Sequence, residues 1–375
     1  MESKIKKINK VLIANRNEIA IRIIRACKEL NIRTVAVYSK EDNKSLFRTK
    51  ADESYEIGAN LKPVDVYLAM DEIISLALSK GVDAIHPGYG FLAENAQFAR
   101  KCEENGIIFI GPKFEIIEKL GDKISSKIIA KRVAVPTIPG VERGILNTEE
   151  ALAFAEDVGY PVMLKASAGG GGRGMRVVRN KDEMITSFRE AKSEAGKAFG
   201  IEDIFIEKYL QSPKHIEVQI LGDNYGNIVH LFERDCSIQR RHQKIIEFTP
   251  AITISQEKRE QICADAIKIA REVAYQNAGT VEFLVEGDKH YFIEVNPRIQ
   301  VEHTVTEETT GIDIVQSQIL IAQGYELASE EIGIKSQDDI RQRGYAIQCR
   351  VTTEDPLNDF MPDTGRIMVY RSSGG

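Results

Sequence analysis

Up to about Gly111 the chain alternates short apolar runs with longer amphipathic stretches. Residues 11–14, 34–38, 84–86 and 107–110 read as strands, whereas 17–30 and 64–79 space their apolar positions as helices do. That alternation predicts a parallel, doubly wound sheet. From Pro112 the pattern changes. Helical stretches at 114–120 and 122–132 lead into Ala134-Val135-Pro136-Thr137-Ile138-Pro139-Gly140, where two prolines and a glycine redirect the chain as a hinge. A compact α/β unit runs from there to about Leu210, with strands at 160–165, 177–178 and 204–210. Strands at 215–221 and 228–233 then flank a Gly-Asp-Asn-Tyr-Gly turn, 255–277 and 312–322 are helical, and 344–351 is a last strand.

The most informative pattern is TVEFLVEGDKHYFIEVNPRIQVEH, residues 280–303. Two apolar-rich runs, 281–285 and 291–295, around a Gly-Asp break predict a β-hairpin. Each run carries a carboxylate, Glu282 and Glu294, where a strand favours Val or Ile. The neighbours Phe283, Leu284, Phe292 and Ile293 argue for burial, and a buried carboxylate is costly unless it is paired or binds a cation. Side chains alternate with period two, and directly paired residues share a face. A two-residue Gly287-Asp288 loop would pair Glu282 with Ile293 and separate the glutamates. An odd-numbered loop centred on Asp288 pairs Glu282 with Glu294 and brings Asn296 to the same face. We expect that odd loop and a shared hard cation, Mg²⁺ held by carboxylate and amide oxygens. Just beyond, Asn296-Pro297-Arg298-Ile299-Gln300-Val301-Glu302-His303 puts a cation, an amide and a carboxylate within a few residues, as a site would that holds a small anion and moves its proton.

Composition narrows the partners. Three hundred and seventy-five residues, 43% hydrophobic and 28% charged, suit two or three subdomains with ample core. A net charge of −6 argues against a dedicated nucleic-acid binder. MESKIKKINK leads into a strand without an apolar signal segment, and no run reaches membrane-spanning length. Five scattered cysteines without a C-x-x-C pair read as reduced thiols of a cytoplasmic protein, neither a disulfide frame nor a zinc site.

Other stretches carry candidate chemistry. The first turn, Ala14-Asn15-Arg16-Asn17-Glu18, has no G-x-G-x-x-G, so no dinucleotide site is assigned. His86-Pro87-Gly88-Tyr89-Gly90-Phe91-Leu92 follows a strand, where parallel sheets bind ligands, although a structural turn packing Tyr89 explains it equally well. Ala168-Gly169-Gly170-Gly171-Gly172-Arg173-Gly174, entered by Lys165, suits a mobile flap whose amides wrap phosphate oxygens. It is not a P-loop, since no G-K-[ST] follows. Gln239 to Lys244 concentrates cations and His242: a nucleic-acid patch, a solvated strand or an anion site, with overall acidity and missing aromatics weighing against the first. Arg350 sits among apolar neighbours, either paired with Glu354 or Asp355 or aimed at a ligand. The Gly374-Gly375 end reads as the middle of a turn, so a truncated chain is expected.

HPGYGFLAEN, KASAGGGGRGMRVV, ERDCSIQRRHQK and FIEVNPRIQVEHTVTE together resemble the biotin carboxylase module of biotin-dependent carboxylases, an ATP-grasp enzyme. The resemblance runs from Val11 to Gly375, and HTVTEETTGIDIVQSQI with AIQCRVTTEDP is most similar to the pyruvate carboxylase branch. Acetyl-CoA or propionyl-CoA carboxylase modules are the nearest alternative. The resemblance implies an ATP-grasp fold in three parts: a Rossmann-like subdomain over 1–120, an ATP-grasp region over 121–330 with its glycine-rich lid at about 137–210, and the start of a truncated α+β subdomain over 331–375. It implies a ligase reaction in which ATP, bicarbonate and biotin give ADP, phosphate and carboxybiotin through carboxyphosphate. Lys123, Lys165, Gly170, Gly171, Gly172, Glu207, Lys208, Leu210, His215, Gln239, His242 and Leu284 would line the ATP pocket. Glu282, Glu294 and Asn296 would hold Mg²⁺ or Mn²⁺, and Lys244, Arg298, Gln300, Val301 and Glu302 would bind bicarbonate, with Glu302 as general base. Arg350 would stabilise the biotin enolate, and Tyr89 would lie near the biotin ring. Biotin itself would arrive on a carrier domain absent from this chain, with a carboxyltransferase domain as further partner and a homo-oligomer as the assembly. Two rivals remain: another ATP-grasp ligase forming an acyl phosphate, which has no use for the Arg298–Glu302 cluster with Arg350, and a catalytically silent module.

Overall fold

In the computed structural model, residues 5–141, 143–166, 175–199, 204–240, 243–363 and 365–371 are described. The first apolar runs form β1 (Lys10–Ile13), β2 (Arg33–Tyr38), β3 (Glu53–Glu56), β4 (Ala84–His86) and β5 (Ile108–Phe109), all parallel, in the order β3-β2-β1-β4-β5. Strand β3, ESYE, escaped the sequence pattern because it is a polar edge strand, its Glu53 bridged to Lys10 at 3.0 Å. Helix Asn17–Glu29 buries Ile19, Ala20, Ile23, Ile24 and Cys27, the spacing of one helical face. The expected helix at 64–79 is broken: a 3₁₀ turn, Asp65–Leu68, ends at Ala69 with ψ 70°, and the α-helix runs Met70–Ser79. Strand order reverses between β1 and β4, the place where open α/β sheets bind ligands. There Asn15 donates through Nδ2 to the carbonyls of Pro87 (2.7 Å) and Tyr89 (2.8 Å), fixing the Tyr89 loop to the end of β1.

Strands β6 (Val162–Ala166), β7 (Met175–Val178) and β8 (Ile204–Lys208) form a separate antiparallel sheet, order β7-β6-β8. Its apolar face, with Val162, Leu164, Ile204 and Ile206, packs with Phe188 and Met184 of the helix Lys181–Phe199. The Pro136–Gly140 segment tethers this unit: Thr137 bridges to Phe292 and Gly140 to Glu207.

The third sheet carries the site. It comprises β9 (Lys214–Gly222), β10 (Ile228–Arg240), β11 (Gln243–Thr249), β12 (Asn277–Glu286), β13 (Lys289–Asn296) and β14 (Ala346–Cys349), antiparallel in the order β13-β12-β9-β10-β11-β14. Period two splits β9 and β12 cleanly. Ile216, Val218 and Ile220 of β9 and Val281, Phe283 and Val285 of β12 pack with Ile262, Ala266 and Ile269 of the helix Gln256–Glu272. Glu217, Gln219, Thr280 and Glu282 therefore occupy the opposite face. That helix ends before the predicted 277, because Ala274 (φ 49°) and Asn277 (φ 69°) turn left-handed and start β12.

The turn leaves no space at Gly279. A Cβ there would sit 2.1 Å from Oη of Tyr275, a fully buried ring whose hydroxyl donates to the Ala278 carbonyl at 2.9 Å. Gly279→Ala must push that ring out of the helix–sheet core, so we expect a loss of about 1–3 kcal/mol. Urea denaturation should show a lower midpoint at unchanged slope, and an unaltered midpoint would mean that the ring relaxes freely.

Candidate active site

Three strands contribute one acidic row. Glu217 of β9 pairs with Glu282 of β12, which pairs with Glu294 of β13. The odd loop expected for the β12–β13 hairpin is not what aligns them. Glu286 faces Lys289 across a two-residue Gly287-Asp288 turn, and the ladder steps from Phe283↔Phe292 to Glu282↔Glu294. Ile293 is the extra residue of a β-bulge, and the bulge restores the register that a regular two-residue hairpin would lose. Asn296 shares the face, donating through Nδ2 to Glu282 Oε1 at 2.8 Å. Strand β10 is bulged as well. Between His230↔Ile220 and Glu233↔Val218 it spends one residue more than β9, with Phe232 left-handed at φ 63°, and so brings Arg234 opposite Glu217.

A row of carboxylates in a protein interior needs cations, and Lys244 on β11 supplies the central one. Its ammonium donates to Glu217 (2.5 Å), Glu302 (2.8 Å) and Glu282 (2.9 Å). Glu302 is 2% exposed and also accepts from Arg350 Nη2 at 3.0 Å. Burial by itself would raise its pKa, but Lys244 first, then Arg234 and Arg350, hold it down to about 2. Burial likewise opposes ionisation of Glu282, yet His215 and Lys244 keep it well below the ordinary carboxylate range. His215 is lifted in turn: burial would lower it, but Glu282, 2.7 Å from Nε2, outweighs that. Gln239 lies 3.1 Å from the other ring nitrogen.

Arg350 pairs with neither of the acidic residues expected from sequence. Its Nε donates to Glu247 of β11 at 2.6 Å, whereas Glu354 pairs with Arg240. That pairing is not made because Glu354 and Asp355 form a short strand of their own, paired with Met361–Pro362, while Glu247 is brought alongside by β11–β14 pairing. Burial holds Glu247 above the usual carboxylate range despite Arg350. Arg298 contacts Asn296 Oδ1 at 3.0 Å and Glu94 of the first sheet's loop at 3.4 Å.

A cavity of about 610 Å³ opens over these groups. It is lined by His215, Gln239, Lys244, Glu282, Glu294, Asn296, Arg298, Gln300, Val301, Glu302 and Arg350, residues scattered over more than a hundred positions of sequence and gathered by sheet pairing. Lys165, Glu207, Lys208, Leu210, Leu284 and Tyr89 do not line it. Lys165 of β6 is ion-paired with Glu207 of β8, Lys208 donates to the carbonyls of Gly159 (2.9 Å) and Tyr160 (3.1 Å), and Leu210 is buried. Tyr89 donates to Glu18, with burial and that carboxylate pushing its phenol pKa up. Lys123 begins the helix Lys123–Arg132. Gly170, Gly171, Gly172 and His242 lie outside the described residues.

Sequence reasoning missed Glu217, Arg234 and Glu247. Glu217 was findable, two residues after His215 in an alternating strand. Arg234 was not, because a bulge cancels the parity that would have placed it. The oxygen donors of Glu282, Glu294 and Asn296, neighbours at the cavity wall, fit a hard divalent cation, and donor atoms of His215, Glu217 and Glu282 lie within 4.8 Å of one another.

Residues 7–117 match the family model described as biotin carboxylase, N-terminal domain, and 122–330 that of the carbamoyl-phosphate synthase L chain, ATP binding domain. The pyruvate carboxylase of Bacillus subtilis is 59% identical over 98% of this chain and 32% of its own length. The chain thus spans about a third of the curated relatives it matches. The biotin carboxylase domain dimer of Hydrogenobacter thermophilus 2-oxoglutarate carboxylase, solved in complex with MgADP, ADP and bicarbonate, superposes with a TM-score of 0.86 at 52% identity, covering 99% of this chain and 80% of that one. A thermophilic 2-oxoglutarate carboxylase domain bound to bicarbonate reaches 0.91 at 51% identity, covering 98% and 80%. Its sheets, its cavity and these likenesses agree that the chain belongs to the biotin carboxylase family, with an ATP-grasp fold.

Proposed function

We propose that this chain carboxylates biotin with bicarbonate at the expense of ATP, forming carboxyphosphate as the intermediate. One observation carries the reading: Glu302, buried and ionised, lies between Lys244 and Arg350 in a cavity that Arg298, Glu282 and Glu294 also line. In this scheme Arg298, Gln300, Val301 and Lys244 hold bicarbonate, and Glu302 takes its proton as the oxygen attacks the γ-phosphate. Lys123, Lys165, Glu207, Lys208, Leu210, His215, Gln239, His242 and Leu284, with Gly170, Gly171 and Gly172 as lid, bind the nucleotide. Mg²⁺ or Mn²⁺ held by Glu282, Glu294 and Asn296 would supply charge neutralisation at the phosphates. Carboxyphosphate then yields carbon dioxide and phosphate, the phosphate accepts the N1 proton of biotin, and the enolate-like ureido nitrogen captures carbon dioxide. Arg350, a permanent cation, stabilises the ureido oxygen, with Tyr89 beside the ring.

Pyruvate as final acceptor, carrier and carboxyltransferase domains as partners, and a homo-oligomer belong to the same proposal, supported by the pyruvate carboxylase relatives and the dimeric neighbour. So does the division near 120 and 330 with a lid at 137–210, supported by the separate core of that unit. A cytoplasmic location rests on five unpaired cysteines, and among the described residues no helix is long and apolar enough to cross a membrane. The test is ADP release from Mg-ATP by the purified chain. It should rise several-fold with bicarbonate and again with free biotin. Release indifferent to biotin would favour a different ATP-grasp ligase.

A further inference from the structure

Among the described residues Arg234 is the largest fully buried side chain, and it faces the acidic row from β10. A guanidinium has five N–H donors, and here every one is engaged. Nε donates to Glu217 (2.6 Å), Nη1 to Gln219 (2.8 Å) and Thr306 (3.0 Å), and Nη2 to Thr280 (3.2 Å) and Gln300 (3.2 Å). With no donor to spare and no exposed surface, Arg234 is not a ligand-binding group. Its partners, however, are those that hold the cavity residues. Because Gln300 Oε1 accepts from Arg234, the amide can only present Nε2 to the cavity, where it donates to Glu282 Oε1 at 2.9 Å. Because Glu217 Oε1 accepts from Arg234, Oε2 is left for Lys244.

We infer that Arg234 is a positioning residue: it sets the orientation of Gln300 and Glu217, and through them fixes Glu282 and Lys244 in the geometry that receives the divalent cation. The inference rests on the proposed metal role of Glu282 and Glu294, and deepens it. Outer partners of this kind are worth a factor of roughly 10 to 100 in metal affinity or activity. Lysine keeps the charge but offers a compact head with three donors, too few to span β9, β12, the Gln300 loop and the helix His303–Thr310 together.

The test is calorimetric titration of ADP, with and without Mg²⁺, into the wild-type chain and Arg234→Lys. ADP alone should bind both with equal affinity, while the gain in affinity that Mg²⁺ confers should fall by roughly tenfold or more in the variant. In turnover assays KM for Mg-ATP should rise by a similar factor, and kcat should fall as well. An equal Mg²⁺ gain in both proteins overturns the inference. So does a variant that loses ADP affinity with and without Mg²⁺ in proportion to its unfolded fraction, since that is a purely structural role. A wild type without any Mg²⁺ gain removes its premise and overturns it too. A wild type that shows the gain but no bicarbonate-dependent turnover sinks the proposed reaction and leaves Arg234 in place. Should Arg234→Lys fail to fold, Thr280→Val with Thr306→Val removes two acceptors near-isosterically, and the same split, smaller in size, is expected.

Discussion

Glu302→Gln should cut bicarbonate-dependent ADP release by roughly 10²–10⁴-fold, the usual worth of a general base, while ATP affinity stays nearly unchanged. Glutamine matches the shape of Glu302 and keeps one oxygen to accept from Lys244 or Arg350, so the cavity should survive. What it cannot do is take a proton. The low pKa of Glu302, about 2, makes it a poor base while Lys244, Arg234 and Arg350 all attend it. Bicarbonate is itself an anion, and an ammonium that turns to share its charge with the incoming oxygen leaves the carboxylate more basic at the moment a proton must move. The kcat/KM profile for bicarbonate reports the free protein, so Glu302 should contribute no acid limb near neutrality. Single-turnover ADP release on the variant decides the matter, and a rate equal to wild type would place the proton acceptor elsewhere.

Much of this site could be read from the sequence because its residues come in dense local motifs. Asn296 to Glu302 lie on one loop, and Glu282 and Glu294 on one hairpin, so short-range pattern sufficed to associate them. The pairing of Glu282 with Glu294 was anticipated, but by an odd loop, where the chain uses a tight turn and a bulge at Ile293. Parity is a rule about regular ladders, and this sheet suspends it where chemistry sits: at Ile293, at Phe232, and again between Asp235 and Gln239 of β10. Arg234 stayed invisible for that reason. Long-range partners failed differently. For Arg350 the sequence offered a neighbouring carboxylate or a ligand, yet Glu247, 103 positions away, meets it through strand pairing that no local pattern encodes.

The second large effect concerns stability. Lys244→Met deletes the cation shared by Glu217, Glu282 and Glu302 and replaces it with a hydrocarbon of similar length. Each carboxylate retains one basic partner, Arg234, His215 and Arg350 respectively, and Glu282 keeps the amides of Asn296 and Gln300 as well, but three negative charges then face one another across a buried space. Removing one member of a buried ion cluster costs about 3–5 kcal/mol, because the remaining charges stay desolvated. The pH dependence gives the sign. In the wild type Glu302 and Glu282 have folded pKa values pushed below their unfolded ones, so their contribution is complete above about 4.5 and is lost as pH falls through the folded values, that of Glu302 at about 2. Without Lys244 both pKa values move up, the contribution above 4.5 shrinks, and acidification removes less. Urea titrations at a series of pH values should therefore show a lower midpoint for Lys244→Met at pH 7 and a flatter decline in acid. Parallel curves for the two proteins would mean that Arg234, His215 and Arg350 already neutralise the row, and that Lys244 is present for the substrate alone.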